Sequence, residues 1–266
     1  MKSKKLLTIF TLLLVFSIIG GFYLYGSIIA NRNIHIRQID IKSNMNLKIA
    51  YFSDVNLYEF LNEQDFSNII TQIKSQNPDV VLFGGNLINN KINKELSKDQ
   101  IDYLIKELKS IRASYGMFGI YGEYESNFDY YQSTTSYILQ KAQFELLNDK
   151  SIKIYKDNNY VNLIGLFQKG QIETDNQQTI SFSHNPDLVT NQKCNVMLAG
   201  KVLGGQINIP FFNDLFFKDV KYHKQSQTIN NCQLFVSNGV GTKKIDFRIF
   251  AAADIIILNL KTDVKK

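Results

Sequence analysis

From Leu47 onward, short apolar runs alternate with stretches in which apolar residues recur three or four positions apart. Leu47–Phe52 reads as a strand. Phe66, Ile69, Ile70 and Ile73 mark one face of an amphipathic helix. Asn77-Pro78-Asp79 breaks that helix, and Val80–Phe83 is a short buried strand ending at Gly84-Gly85. Ile101, Leu104, Ile105, Leu108 and Ile111 mark a second helix, and residues 117–121 form the next strand, closed by Gly122. A third helix is expected over residues 133–148. This rhythm implies an α/β domain with a mostly parallel, buried sheet and helices on its faces. The second half is richer in strands, expected at 160–166, 179–182, 195–199, 233–237 and 254–260.

The N-terminus follows a different pattern. Residues 6–30 are uncharged and mostly apolar, preceded by Lys2, Lys4 and Lys5. At roughly 1.5 Å per residue this run is long enough to cross a hydrocarbon core of about 30 Å. A cleaved signal peptide is the alternative, but only Ile28-Ile29-Ala30 loosely approaches a cleavage site. The expected organisation is a cytoplasmic N-terminus at 1–5, a transmembrane anchor at 6–30, a linker at 31–46 and one domain at 47–262. The lysines keep the N-terminus in the cytoplasm, with Arg32 and Arg37 pulling the other way. A single-pass protein whose C-terminal domain is extracytoplasmic follows.

Composition adds little. The formal net charge of +6 suits a surface facing anionic headgroups, and no motif supports nucleic-acid binding. Cys194 and Cys232 read first as two small buried apolar residues on strands. A disulfide outside the membrane is the alternative. No CxxC spacing exists for a structural zinc site.

In such sheets ligands bind at the carboxyl ends of the strands. Those ends are Ser53-Asp54-Val55-Asn56, Gly84-Gly85-Asn86-Leu87, Gly122-Glu123-Tyr124-Glu125, Ser183-His184-Asn185-Pro186-Asp187 and Gly200-Lys201-Val202-Leu203-Gly204-Gly205-Gln206. Their order and spacing resemble the calcineurin-like metallophosphoesterases, in particular a membrane-associated bacterial branch with SDxH, GDLV, GNHD, SHxPD and GHTHGGQ motifs. Val236 to Thr242, followed by Arg248, is similar to the closing segment of that branch. The resemblance spans about residues 47–260. It implies the calcineurin-like fold, with layered β-sheets flanked by helices, and a place in a bacterial cell membrane.

In that family two divalent metals clamp a phosphate and activate a hydroxide. Position by position, the resemblance implies a degenerate site. Asp54 and His184 keep their ligand types. Asn56 stands where the family has a histidine, Asn86 where it has the metal-bridging aspartate, and Glu123 where it has an asparagine. Tyr124 occupies the catalytic histidine position, and Lys201 and Leu203 replace the two histidines of the last motif. Leu203 cannot coordinate a metal, and an ammonium is a donor only. Lys201 is therefore expected to put its ammonium in the former metal site, paired with Asp54 or Glu123, because buried carboxylates need a positive partner.

Three functions follow as expectations. The first is a non-catalytic binding or scaffolding module for an unknown protein, with no cofactor. The second is a phosphoesterase acting on phosphomonoesters or phosphodiesters through one divalent metal (Mn, Fe or Zn) held by Asp54, Asn86, Glu123 and His184. The third is a binder of a phosphate-bearing ligand, held by Lys201 and strand-end amides.

Overall fold

The computed structural model describes residues 2–29, 32–89, 91, 95–168, 171–208, 217 and 220–262. Ala30 and Asn31, where anchor and linker were expected to meet, lie outside the described residues. Helix α1, Lys2–Leu24, is followed by a π-helical turn, Tyr25–Ile29. The stretch from Lys4 to Ser27 has a mean hydropathy of 2.3 and is long and apolar enough to cross a membrane. Its side chains are exposed almost throughout.

The remainder builds two mixed sheets of six strands each. The first runs β1-β12-β2-β3-β4-β5, where β1 is His35–Lys42, β2 Leu47–Phe52, β3 Val80–Phe83, β4 Met117–Gly119, β5 Phe144–Leu146 and β12 Asp254–Lys261. All its pairs are parallel except β12 with β2. The second runs β10-β11-β9-β8-β7-β6, with β6 Lys150–Lys156, β7 Asn159–Leu166, β8 Thr179–Ser183, β9 Val196–Ala199, β10 Ser226–Ile229 and β11 Cys232–Val236. Its two outer pairs are antiparallel and the inner three parallel.

Alternation along the strands sorts the side chains into layers. Ile49 and Tyr51 of β2 point to the second sheet and meet Leu163, Phe182 and Leu198. Ala50 and Phe52 point the other way, to the helices. There α2, Glu63–Ser75, buries Phe66, Ile69, Ile70 and Ile73, and α3, Lys98–Lys109, buries Leu104 and Leu108. Each such side chain contributes about 1.5–3 kcal/mol on leaving water. Both helices begin with a capping box, Asn62 with Asp65 and Ser97 with Gln100, which satisfies two orphan backbone donors at each start.

The structure departs from the sequence expectations in three places. The segment expected to be a linker carries β1, an edge strand paired in parallel with β12. The third long helix, α5, Asp129–Lys141, stops short of residue 148, because the chain turns back into β5 where a helix was expected to continue. Finally, Cys194 and Cys232 are not free buried residues but form a disulfide. It closes a loop with a sequence separation of 38, for which chain entropy gives about 4 kcal/mol of stabilisation.

Candidate functional site

The polar strand ends of both sheets meet in one buried cluster. After β2 the backbone passes through Asp54 (φ 54°) and Asn56 (φ 50°), and after β3 through Asn86 (φ 58°). Lys201 (φ 72°) and Leu203 (φ 52°) follow β9. All five lie in the left-handed region, which costs a non-glycine residue roughly 1–2 kcal/mol each. Gly85 is required at φ 88°, since a side chain there would run into the backbone of Gly122. These turns fold the three loops after β2, β3 and β9 inward over the same spot.

At the centre, the Asp54 carboxylate is almost fully buried. Its Oδ2 accepts from Ser53 Oγ at 2.8 Å and from the backbone N–H of Lys201 at 2.9 Å. Its Oδ1 lies 3.8 Å from His184 Nε2. The Asn86 amide sits against both groups: Nδ2 donates to Asp54 Oδ1 at 3.3 Å and to His184 Nε2 at 3.1 Å. The amide orientation follows from its other end, where Oδ1 accepts from the backbone N–H of Tyr124 at 3.0 Å. His184 Nδ1 lies 2.8 Å from the carbonyl of Gly84, which can only accept. Nδ1 therefore carries the proton, and Nε2 offers its lone pair to Asn86.

Two neighbours extend this centre. Helix α4, Glu123–Asn127, starts at Gly122. The Glu125 carboxylate accepts from the backbone N–H groups of Gly122 (2.9 Å), Asn86 (3.0 Å) and Leu87 (2.8 Å), and from Thr135 Oγ1 at 3.4 Å. It thereby fixes the loop after β3 to the loop after β4. Beneath Asp54, the fully buried Arg248 donates to the carbonyls of Leu203, Asn238, Gly239, Gly241 and Ala251. Burial pulls its pKa down to about 10, against the opposing charges of Asp254 and Asp54, and it stays protonated at neutral pH.

The structure brings Asp54, Asn86 and His184 together, and Asn56 and Leu203 are also buried. Other placements differ. Glu123 lies at the rim, its carboxylate 42% exposed and 3.7 Å from the ammonium of Lys243. That ammonium also sits 4.9 Å from the ring centre of Tyr124. The cation beside Glu123 is thus Lys243. Lys201 meets Asp54 through its backbone N–H, and its ammonium makes no ion pair among the described residues. A left-handed turn aims the peptide N–H at the carboxylate, so the ammonium is not needed there. The Tyr124 hydroxyl is buried without a hydrogen-bond partner among the described residues, and burial, followed by the charge of Asp54, pushes its pKa well up.

Glu125, Gln206, Lys243 and the carbonyl cage of Arg248 were not found from sequence. Glu125 carried a signal: it stands three residues after Gly122, the acidic position of a capping box. Gln206 clips the closing segment to the loop after β9, donating to the carbonyls of Ile245 and Phe247 and accepting from the N–H of Lys243.

A two-metal centre needs several carboxylate and imidazole lone pairs aimed at common points. Here one carboxylate and one imidazole share an amide donor, Glu125 is consumed by backbone N–H groups, and Glu123 faces a lysine. No group of three or more His, Cys, Asp or Glu side chains suited to a metal occurs among the described residues. The residues present do not fit the family's metal pair.

The fold and site define an α/β protein with a polar cluster at the carboxyl ends of strands from two facing sheets. No protein-family model matches the chain. It is 24% identical over 266 residues to the uncharacterized metallophosphoesterase YkuE of Bacillus subtilis (strain 168), covering 91% of both chains. To the uncharacterized metallophosphoesterase Cj0846 of Campylobacter jejuni it is 27% identical over 269 residues, covering 92% of this chain and 68% of that one. The crystal structure of TT1561 of Thermus thermophilus superposes with a TM-score of 0.44 at 7% identity, over 74% of this chain and 91% of that one. The chain is a distant homologue of metallophosphoesterases.

Proposed function

We propose that this metallophosphoesterase homologue is a non-catalytic, membrane-anchored protein that uses its domain as a binding or scaffolding module. The observation that carries this reading is the Asn86 amide, which donates to both Asp54 and His184. The two surviving ligand types already have a protein partner, and a cation there would face the amide hydrogens. The exposed apolar helix supports anchoring, and the Cys194–Cys232 disulfide supports an oxidising, extracytoplasmic location.

The test uses the full chain, purified in detergent from cells grown with Mn, Fe and Zn. The expected result is substoichiometric metal and no Mn²⁺-dependent hydrolysis of an aryl phosphodiester above that of an Asp54→Ala/His184→Ala double variant. Stoichiometric metal with activity lost in the double variant overturns it.

That outcome would favour a second reading, a phosphoesterase with a single divalent metal acting on phosphomonoesters or phosphodiesters. Its supporting observation is the 3.8 Å approach of Asp54 Oδ1 and His184 Nε2. A ligand-binding variant of the first reading is separated by thermal unfolding with inorganic phosphate. Stabilisation that disappears in Lys201→Ala would assign a phosphate-bearing ligand to the strand ends, and no stabilisation leaves a protein partner.

A further inference from the structure

The segment that closes the site is also the segment that meets the base of the N-terminal helix. The backbone N–H of Arg248 donates to the carbonyl of Gly26 at 3.1 Å. The ring of Phe247 stacks on that of Tyr23, with centroids 6.2 Å apart. Phe250 and Tyr25 share the wall of a cavity of about 280 Å³. The tip of this segment is therefore level with the aromatic end of the apolar helix, where interfacial side chains concentrate in membrane proteins.

That tip is apolar and unburied. Phe250 is 63% exposed and Ile245 44% exposed, with the exposed Lys244 beside them. Two large apolar side chains left in water on one short segment are the mark of an interaction surface. The combination of apolar tips and a flanking cation, in line with a membrane-crossing helix, matches the chemistry of a lipid interface.

We propose that the segment from Lys243 to Phe250 is a membrane seat. Ile245 and Phe250 enter the boundary between headgroups and acyl chains of the leaflet that the helix leaves, and Lys244 faces the headgroup phosphates. Because Gln206 and Arg248 tie this segment to the strand ends, the seat holds the polar cluster at a fixed height beside the lipid surface. The proposal rests on the anchored reading of the N-terminal helix and goes beyond it, since an anchor alone would leave the domain free to tumble.

The chain has no tryptophan, so single-tryptophan variants report one position each. The full chain is reconstituted in vesicles of phosphatidylcholine and phosphatidylglycerol, with and without brominated acyl chains. Four variants are compared: Phe250→Trp and Ile245→Trp in the seat, Tyr155→Trp on the exposed face of β6, and Phe16→Trp in the helix. The expected result is quenching by brominated lipid and about twofold or greater protection from acrylamide in both seat variants relative to Tyr155→Trp, since interfacial burial is roughly 5–10 Å deep. A seat variant as accessible and as unquenched as Tyr155→Trp overturns the proposal. Where Phe250→Trp does not fold, Ile245→Trp decides. Quenching of Phe16→Trp without quenching of the seat leaves the anchor standing and removes the seat. An unquenched Phe16→Trp removes the anchor and overturns the seat with it.

Discussion

The two flanks of the strand-end cluster are built to different standards. On the flank around Glu125, the carboxylate is met by three backbone N–H groups and a hydroxyl. On the flank around Tyr124, the Tyr124 hydroxyl, Asn56 Oδ1 and Thr242 Oγ1 are all buried without a hydrogen-bond partner among the described residues. Leaving such an atom unmet costs about 1–3 kcal/mol, and native proteins normally meet it with water or a bound molecule. The first flank is scaffolding that fixes the loops. The second carries polar atoms that the described residues leave unmet.

The largest test of that contrast is Glu125→Ala. It strands three buried backbone donors, and a loss of about 3 kcal/mol is expected in denaturant unfolding of the full chain. A loss below about 1 kcal/mol would put both flanks on the same footing.

Asn86→Asp comes next, with an expected loss of about 2 kcal/mol at neutral pH. The change deletes the donor shared by Asp54 and His184 and sets a second carboxylate against the first. Like charges raise the folded-state pKa of such a pair above its unfolded value. The stability deficit should therefore shrink as pH falls through that raised value, and unfolding measured at pH 7.5 and pH 5 (conditions of the assay) would show it. Recovery on adding Mn²⁺ at pH 7.5 would sharpen the comparison further, by showing that the cluster can still be turned into a metal site.

Lys201→Gly should stabilise by about 0.5–1 kcal/mol, because glycine adopts the φ of 72° without a side-chain penalty and the backbone N–H to Asp54 is kept. A destabilised variant would show that the lysine side chain matters after all. Tyr124→Phe should also stabilise, by about 0.5–1 kcal/mol, because it removes a buried hydroxyl that has no hydrogen-bond partner among the described residues. A cost above about 1 kcal/mol would mean that the hydroxyl binds something in solution.

Much of the fold was legible because burial writes a pattern. Val80–Phe83 is buried at every position, and the α2 face of Phe66, Ile69, Ile70 and Ile73 repeats at helical spacing. The strands that escaped notice are edges or outer strands. β1, β6 and β10 are half exposed and carry lysine, glutamine or serine among their apolar residues, so their sequence resembles a loop. β5 was absorbed into a helix because its three residues are too few to set a period of their own.

The site was legible where a residue type is unusual in its frame, as with Asn86 and Leu203. It was not legible where the chemistry lies in the backbone. The N–H of Lys201 bonds Asp54, and the carbonyls of five loop residues enclose Arg248. Side-chain identity says nothing about either. Lys243 became the partner of Glu123 only through tertiary folding, and nothing in their separation along the chain announces it. The cysteines were ambiguous because two residues suit a core and a bridge equally well until their strands are placed.

The left-handed turns at Asp54, Asn56, Asn86, Lys201 and Leu203 write the shape of the strand ends into the backbone itself. The backbone is already bent into the shape that would point side chains at a common centre, and it is held there by groups outside the cluster, Glu125 and Arg248. Changing the chemistry of the centre therefore requires no redesign of the chain's path. For protein engineers this is a ready graft site: a socket into which a new set of donors can be installed one side chain at a time.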